Sequence, residues 1–478
     1  MKLTVSWKQW WWGILLATVM VLGIALRAYA YWEFPIAGET TDEVAWTMLG
    51  SSVLQTGFPQ SWSYFSAYTD VRDMYVGDVY YRVVAPVVDH PPLFALIPGG
   101  IQTIVGRAWD TLPSIKLIRF PMILLGGANI ILFAWWLQRV WGKSIRTFVA
   151  VVLFNTVPIF VFLSRLVVSE NLLLTFFLLT LVGLSAWKQS WGKVLVFLSL
   201  FLMPLTKLAG IALAIGVLVG SIQMVKKREL FLMAAAFVAG LGSMVAYMVW
   251  WDPQLFWQVQ FGQATRDVGF LTLYVTQFGT PTLVQHFVTD YWTWLGYFVV
   301  FATLLFGGRE TLPKEKKWHH FLHMVFFANL SFLLLSIGEQ TVHGWYRIIF
   351  FPLFAFYWGD WAEWWWKTIR WKALSLLWLL LIFLPRNALR GVVNNVQFWE
   401  TQSLWARIWV ALAGVPILAE LSSHSKKLAR QWPWQRIWQA CFVVVLLVVI
   451  FSNMVRVVTI RSDIYWEDDL YIETGTRS

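Results

Sequence analysis

The chain has 478 residues, 58% of them hydrophobic and 13% charged, and its mean hydropathy is +0.61. A soluble globular chain of this length needs more charge to cover its surface, so the composition excludes that class and indicates a polytopic membrane protein. The formal net charge of +11 would suggest a nucleic-acid partner for a soluble protein, but here the basic residues gather between apolar runs, the pattern of membrane orientation bias.

Lys2 and Lys8 precede the apolar run Gly13 to Leu26. Ala28-Tyr29-Ala30 has the small-residue spacing of a signal-peptidase site, whereas Arg27 and the Trp10-Trp11-Trp12 anchor favour a retained first span. With the N-terminus inside, a first span over about Gln9 to Ala30 carries the chain to the outer side. The segment from Trp32 to Lys116 is aromatic and polar. Its mildly apolar piece, Pro91 to Val105, is short for a crossing and reads as a helix lying in the interface.

Further spans are expected at Arg119 to Leu137, Phe148 to Leu163, Asn171 to Trp187, Val194 to Leu205, Leu208 to Met224, Leu230 to Trp250 and Trp292 to Phe306. After them come Phe321 to Ile337, Ile348 to Trp361, Leu374 to Leu384, Leu404 to Leu418 and Ile437 to Val455. These make about thirteen crossings by the length rule. The basic groups Arg139/Lys143/Arg146, Lys188/Lys193, Lys226 to Arg228, Lys314 to Lys317, Lys367 to Lys372 and Lys426 to Arg430 then fall on one side. The same alternation gathers Asp42, Asp89, His90, Arg165, Glu170, Lys207, His343 and Arg347 on the other. The expected fold is an all-α polytopic bundle whose first outer loop, 32–118, carries juxtamembrane helices. Residues 1–360 form the core, 361–457 further spans and 458–478 a polar tail. The single cysteine, Cys441, excludes an intrachain disulfide and a cysteine-rich metal site.

Each polar island has a structural and a chemical reading. Thr40 and Glu43 are spaced for a capping box, opening a helix that stops near Gly57. Asp42 and Glu43 either complement the dipole of that helix or supply a proton acceptor. Asp89-His90-Pro91-Pro92 is a turn that is solvated, ligates a metal or hydrogen-bonds a sugar. Arg165 and Glu170 read as a bridge to each other. Lys207 either snorkels to the interface or meets a lipid phosphate at membrane depth. His343-Gly344-Trp345-Tyr346-Arg347 is an interfacial anchor or a phosphate site, since Arg347 is permanently charged and can donate two parallel hydrogen bonds. Asp252, Arg266 and Asp290 sit in a loop with no motif.

Together these stretches resemble the GT-C membrane glycosyltransferases, in particular the protein O-mannosyltransferase and lipid A aminoarabinose transferase (ArnT-like) branch. Asp42-Glu43 after the first span, His90-Pro91-Pro92-Leu93, Arg119, Arg165 with Glu170, Lys207 and Tyr346-Arg347 carry the likeness over roughly the first 360 residues. The resemblance implies an inverting transfer of a sugar from a polyprenyl-phosphate donor to a hydroxyl of a lipid, glycan or protein. It implies Asp42, with Glu43, as the catalytic pair and Asp42 as general base. Lys207, Arg347 and Arg165 would bind the donor phosphate. Asp89, His90, Glu170, His343 and Tyr346 would line the cavity. It implies no metal and no cofactor, and a cytoplasmic-membrane protein with its site facing outward. The chain lacks the extra soluble domain of many protein mannosyltransferases, which leaves the acceptor open. The rival is a transporter or flippase of lipid-linked sugars, which predicts inverted repeats and helices broken near the midplane.

Overall fold

The computed structural model describes residues 7–35, 41–76, 79–264, 291–306, 313–336, 344–367 and 434–459. The first span is α1 (Trp7–Ala28), followed by α2 (Asp42–Thr56), strands β1 (Ser61–Trp62), β2 (Val71–Val76) and β3 (Val79–Val84), and α3 (Leu96–Ile104). The bundle continues with α4 (Ile115–Trp141), α5 (Ile145–Thr156), α6 (Pro158–Leu163), α7 (Glu170–Ser185), α8 (Ser190–Thr206), α9 (Ala209–Ser221) and α10 (Lys227–Trp251). Then come α11 (Pro253–Ala264), α12 (Tyr291–Phe306), α13 (Pro313–Ser336), a 3₁₀ turn (Gly344–Arg347), α14 (Phe350–Lys367) and α15 (Trp434–Thr459).

Five of the described helices are long and apolar enough to cross a membrane, within α1, α4, α10, α13 and α15, and several shorter apolar helices lie among them. The protein is a polytopic membrane protein. The expected spans fall on these helices, except Leu374 to Leu384 and Leu404 to Leu418, which lie outside the described residues. One expected span, Phe148 to Leu163, is two helices. Pro158 has no N–H to continue α5, and Val157 before it takes ψ 118°, so the chain restarts as α6 with proline in its first turn.

The bundle buries a large apolar core, and a second cluster joins the ends of α4, α7 and α10 to α2 and the first loop. α4 packs on α7, α7 on α8, α8 on α10, α9 on α13, and α5 on α14. Leu16, Val19 and Leu26 place α1 in this core, against α4 and α5. Hydrophobic burial does not decide helix pairing inside a bilayer; close backbone approach does. Gly183 against Gly192, and Gly240 against the Phe201 carbonyl, leave no room for a side chain.

The all-helical expectation fails in the loop between α2 and α3. β1, β3 and β2 form an antiparallel sheet in that order, with Met74 opposite Tyr81 and Arg72 opposite Val83. Val71 to Val76 and Val79 to Val84 are rich in Val and Tyr on either side of Gly77-Asp78, the composition of a strand–turn–strand pair. The sheet packs Met74, Tyr81 and Val83 onto Val44 and Met48 of α2. α2 ends as expected at Gly57, which takes φ 71° and returns its N–H to the Val53 carbonyl. The expected capping box rests on Thr40, which lies outside the described residues; Thr41 is the N-cap and makes no side-chain capping bond, and the Glu43 carboxylate is engaged by Arg119.

Glu43 ties this loop to the bundle. Arg119 of α4 donates from Nε to Oε1 at 2.8 Å and from Nη2 to Oε2 at 2.7 Å. Its Nη1 donates to the Tyr31 and Pro35 carbonyls, and the Val167 N–H donates to Glu43 Oε1 at 3.0 Å. Both side chains are fully buried. α2 also lies backbone to backbone on α3: a Cβ at Gly50 would overlap the Ala95 carbonyl, and one at Gly99 would overlap Gly50.

Two thermal-denaturation experiments on the solubilised protein check these contacts. Gly50→Val is expected to cost about 3 kcal/mol or more, because backbone cannot repack, whereas Gly242→Ala, with nothing near its added carbon, leaves the midpoint unchanged or higher. Glu43→Gln strands a buried guanidinium and is expected to cost about 3–5 kcal/mol, while the double change Glu43→Leu with Arg119→Met recovers most of the loss.

Candidate active site

Asp42 opens α2 and is part-exposed, one residue before the anchored Glu43. The anchor fixes the first turn of α2 and with it the place of Asp42. Glu170 occupies the same position in α7, at the start of a helix, and is buried.

Lys207 sits at the break between α8 and α9, with extended backbone (φ −167°, ψ 156°). It is 7% exposed and does not reach for the interface. Its Nζ donates to Glu170 Oε1 at 2.7 Å and stands 4.7 Å from the centre of the Tyr346 ring. The groups whose charge acts on this ammonium are Glu170 first, then Tyr346, then Asp42. Asp42, Glu170, Lys207 and Tyr346, from four separate stretches of chain, therefore share one site. Arg347 follows Tyr346 in the 3₁₀ turn, is buried, and lies beside the hydroxyl of Tyr297 on α12.

Arg165 behaves differently from expectation. Its terminal nitrogens donate to the Phe34 carbonyl at 2.8 Å and the Leu26 carbonyl at 2.6 Å, and its guanidinium lies over Phe162. The bridge to Glu170 does not form, because Glu170 faces Lys207. Arg27, read from the sequence only as favouring a retained first span, is likewise buried and donates to the carbonyls of Gly23, Phe154 and Asn155. Arg27, Arg119 and Glu33 all act on Arg165.

Asp89 and His90 form a second group beside the first turns of α2. Asp89 Oδ2 accepts from Ser63 Oγ at 2.9 Å, and Oδ1 lies 3.2 Å from His90 Nδ1. The Tyr68 hydroxyl accepts from the Val88 N–H, and burial together with the Asp89 carboxylate pushes its pKa up, so it stays neutral. The His90 ring meets Trp46 edge-on at 4.9 Å, and Trp46 lies one helical turn after Asp42. α11 supports this turn from the other side: Gln260 and Gln263 donate to the Val88 and Asp89 carbonyls at 3.4 and 3.3 Å. Asp252 caps α11 through the Leu255 N–H. His343, Arg266 and Asp290 lie outside the described residues.

Tyr297, Ser63 and Tyr68 were not singled out from sequence. Tyr297 lies in an unbroken apolar run and Ser63 and Tyr68 in an aromatic loop, with no spacing to mark them. Among the described residues no three His, Cys, Asp or Glu side chains converge as a metal site. The arrangement offers a part-exposed carboxylate near a buried ammonium and a buried guanidinium, which suits a substrate that carries both a phosphate and a hydroxyl to be deprotonated.

No family model and no curated protein sequence matches the chain. Solved structures do. ArnT from Cupriavidus metallidurans in the apo state superposes with a TM-score of 0.50 at 13% identity, covering 95% of this chain and 78% of ArnT. The Archaeoglobus fulgidus oligosaccharyltransferase in its apo form gives 0.50 at 12% identity, covering 99% of this chain and 59% of the larger protein. Both are membrane glycosyltransferases of the GT-C superfamily, and at these identities the likeness speaks to architecture: the chain has the GT-C fold.

Proposed function

We propose that the protein is a membrane glycosyltransferase that moves a sugar from a polyprenyl-phosphate donor to a hydroxyl acceptor, with inversion, at the non-cytoplasmic face. The observation that carries this reading is the buried Lys207 ammonium, held by Glu170 and the Tyr346 ring, with the Asp42 carboxylate near enough for its charge to act on it. The fold supports it, since ArnT and the archaeal oligosaccharyltransferase share it. In this reading the acceptor oxygen bonds to the anomeric carbon and its proton passes to Asp42. The bond from that carbon to the phosphate oxygen breaks, and the electron pair leaves on the lipid phosphate. Lys207 and Arg347 neutralise the charge that gathers there. The donor's tail runs into the bilayer, so the ionic groups need only meet its head.

Two residues take different parts from those the resemblance implies. Both carboxylate oxygens of Glu43 are engaged by Arg119, so Glu43 positions Asp42 and does not touch the substrate. Arg165 spends its terminal nitrogens on backbone carbonyls, so it shapes the wall and leaves phosphate to Lys207 and Arg347. Asp89 fixes the His90 ring at the edge of the acceptor side. The acceptor is a lipid, glycan or protein hydroxyl, and the site faces away from the cytoplasm.

Purified protein in lipid nanodiscs, given radiolabelled polyprenyl-phosphate sugars and candidate acceptors, tests the reading; a protein that only moves the intact donor across the bilayer, with no transfer by any pair, sinks it. Asp42→Asn is expected to lower transfer by about 10²- to 10⁴-fold while polyprenyl-phosphate binding stays within about twofold. Lys207→Met and Arg347→Met are each expected to weaken that binding about tenfold or more, read by titration of the lipid phosphate.

A further inference from the structure

Lys207 meets a carboxylate where the proposed function wants an anion. Glu170 is 1% exposed, and its Oε1 takes the Lys207 ammonium at 2.7 Å. Its other oxygen faces the Ser169 hydroxyl at 3.4 Å. A phosphate that approaches Lys207 is therefore repelled by Glu170 across the same cation, in surroundings that screen charge weakly. A site built for phosphate affinity alone would place a neutral acceptor there.

The chemistry of the transfer gives that repulsion a use. The donor phosphate is a diester of sugar and lipid and carries one negative charge. When the bond to the anomeric carbon breaks, the electron pair stays on the phosphate oxygen, and the product is a monoester. A phosphate monoester carries about 1.5 to 2 negative charges near pH 7. Two buried cations, Lys207 and Arg347, would hold that product more tightly than the donor and slow every later turnover. Glu170 opposes the extra charge and so acts more strongly against product than against donor.

Resting on the reading of Lys207 as a donor-phosphate residue, we propose that Glu170 is a product-release residue, tuning the site so that lipid phosphate monoester leaves. Tyr346 completes the device. Its ring face attracts the ammonium without adding a full charge, and it keeps Lys207 in place when phosphate draws it away from Glu170.

The test uses the full chain in nanodiscs, with a polyprenyl phosphate monoester and its methyl phosphodiester as probes. The diester keeps one charge over this pH range, so the ratio of the two affinities reads the response of the site to the monoester's second charge. Wild type is expected to bind the two within about threefold at pH 8. Glu170→Gln is expected to bind the monoester about tenfold tighter and the diester only about threefold tighter, and Glu170→Asp to restore the wild-type ratio. With labelled donor, the Gln variant gives an initial burst of about one turnover followed by a slower steady-state rate. A Gln variant that binds both lipids more weakly, or the monoester no tighter, overturns the proposal and leaves Glu170 as a support for Lys207. Should that variant not fold, wild type alone decides: a monoester preference over the diester that grows tenfold or more between pH 5 and pH 8 also overturns it. Lys207→Met separates the two claims, since loss of affinity for neither lipid removes the phosphate site itself.

Discussion

A buried guanidinium–carboxylate pair, Arg119 with Glu43, is the constraint on which the arrangement depends. Taking two charges out of water costs several kcal/mol for each ion, and the attraction between them offsets this only when the remaining donors and acceptors are filled. Here they are filled. The pair is doubly hydrogen-bonded, the last guanidinium nitrogen donates to two carbonyls, and a backbone N–H completes the carboxylate. Three segments meet at that point: the start of α2, the start of α4 and the turn after α6. Asp42 is the next residue along, so its place relative to Lys207 is inherited from this joint.

The other buried arginines belong to the same logic. A helix that ends inside the protein leaves its last carbonyls without partners. α5 stops at Thr156 because of Pro158, and Arg27 donates to the carbonyls of Phe154 and Asn155 at that end. α1 stops at Ala28, and Arg165 donates to the carbonyl of Leu26. Cations suit the negative ends of helices. Positive charge that looks in the sequence like a phosphate site is thus partly consumed in closing helix ends, whereas Lys207 pairs with Glu170 beneath the Tyr346 ring.

Much of this was legible beforehand for identifiable reasons. Spans were readable because apolar runs of sufficient length and flanking basic residues are local properties. The helix after Asp42 and its stop at Gly57 were readable because capping and a left-handed glycine are local too. Alternation across the bilayer, a counting argument, set Glu170 and Lys207 on the same side, and the structure pairs them. What the counting could not resolve was partner choice. Whether Arg165 meets Glu170 or a carbonyl, and whether Glu43 caps its own helix or crosses to Arg119, is decided by packing between segments 76 residues apart and more. The small sheet leaves only a compositional trace, Val and Tyr on either side of Gly77-Asp78, with no alternation to mark two strands of six residues.

The contact of Gly50 with Gly99 has a mechanical meaning. Two helices whose main chains touch, with no side chains between them to slide or swap rotamers, cannot shear past one another. α2 and α3 thus form a rigid slab, with the sheet fastened to it through Val44 and Met48. Any motion of the surrounding helices must leave this slab undeformed and take place at its margins, among contacts such as those that Gln260 and Gln263 make with the Val88 and Asp89 carbonyls.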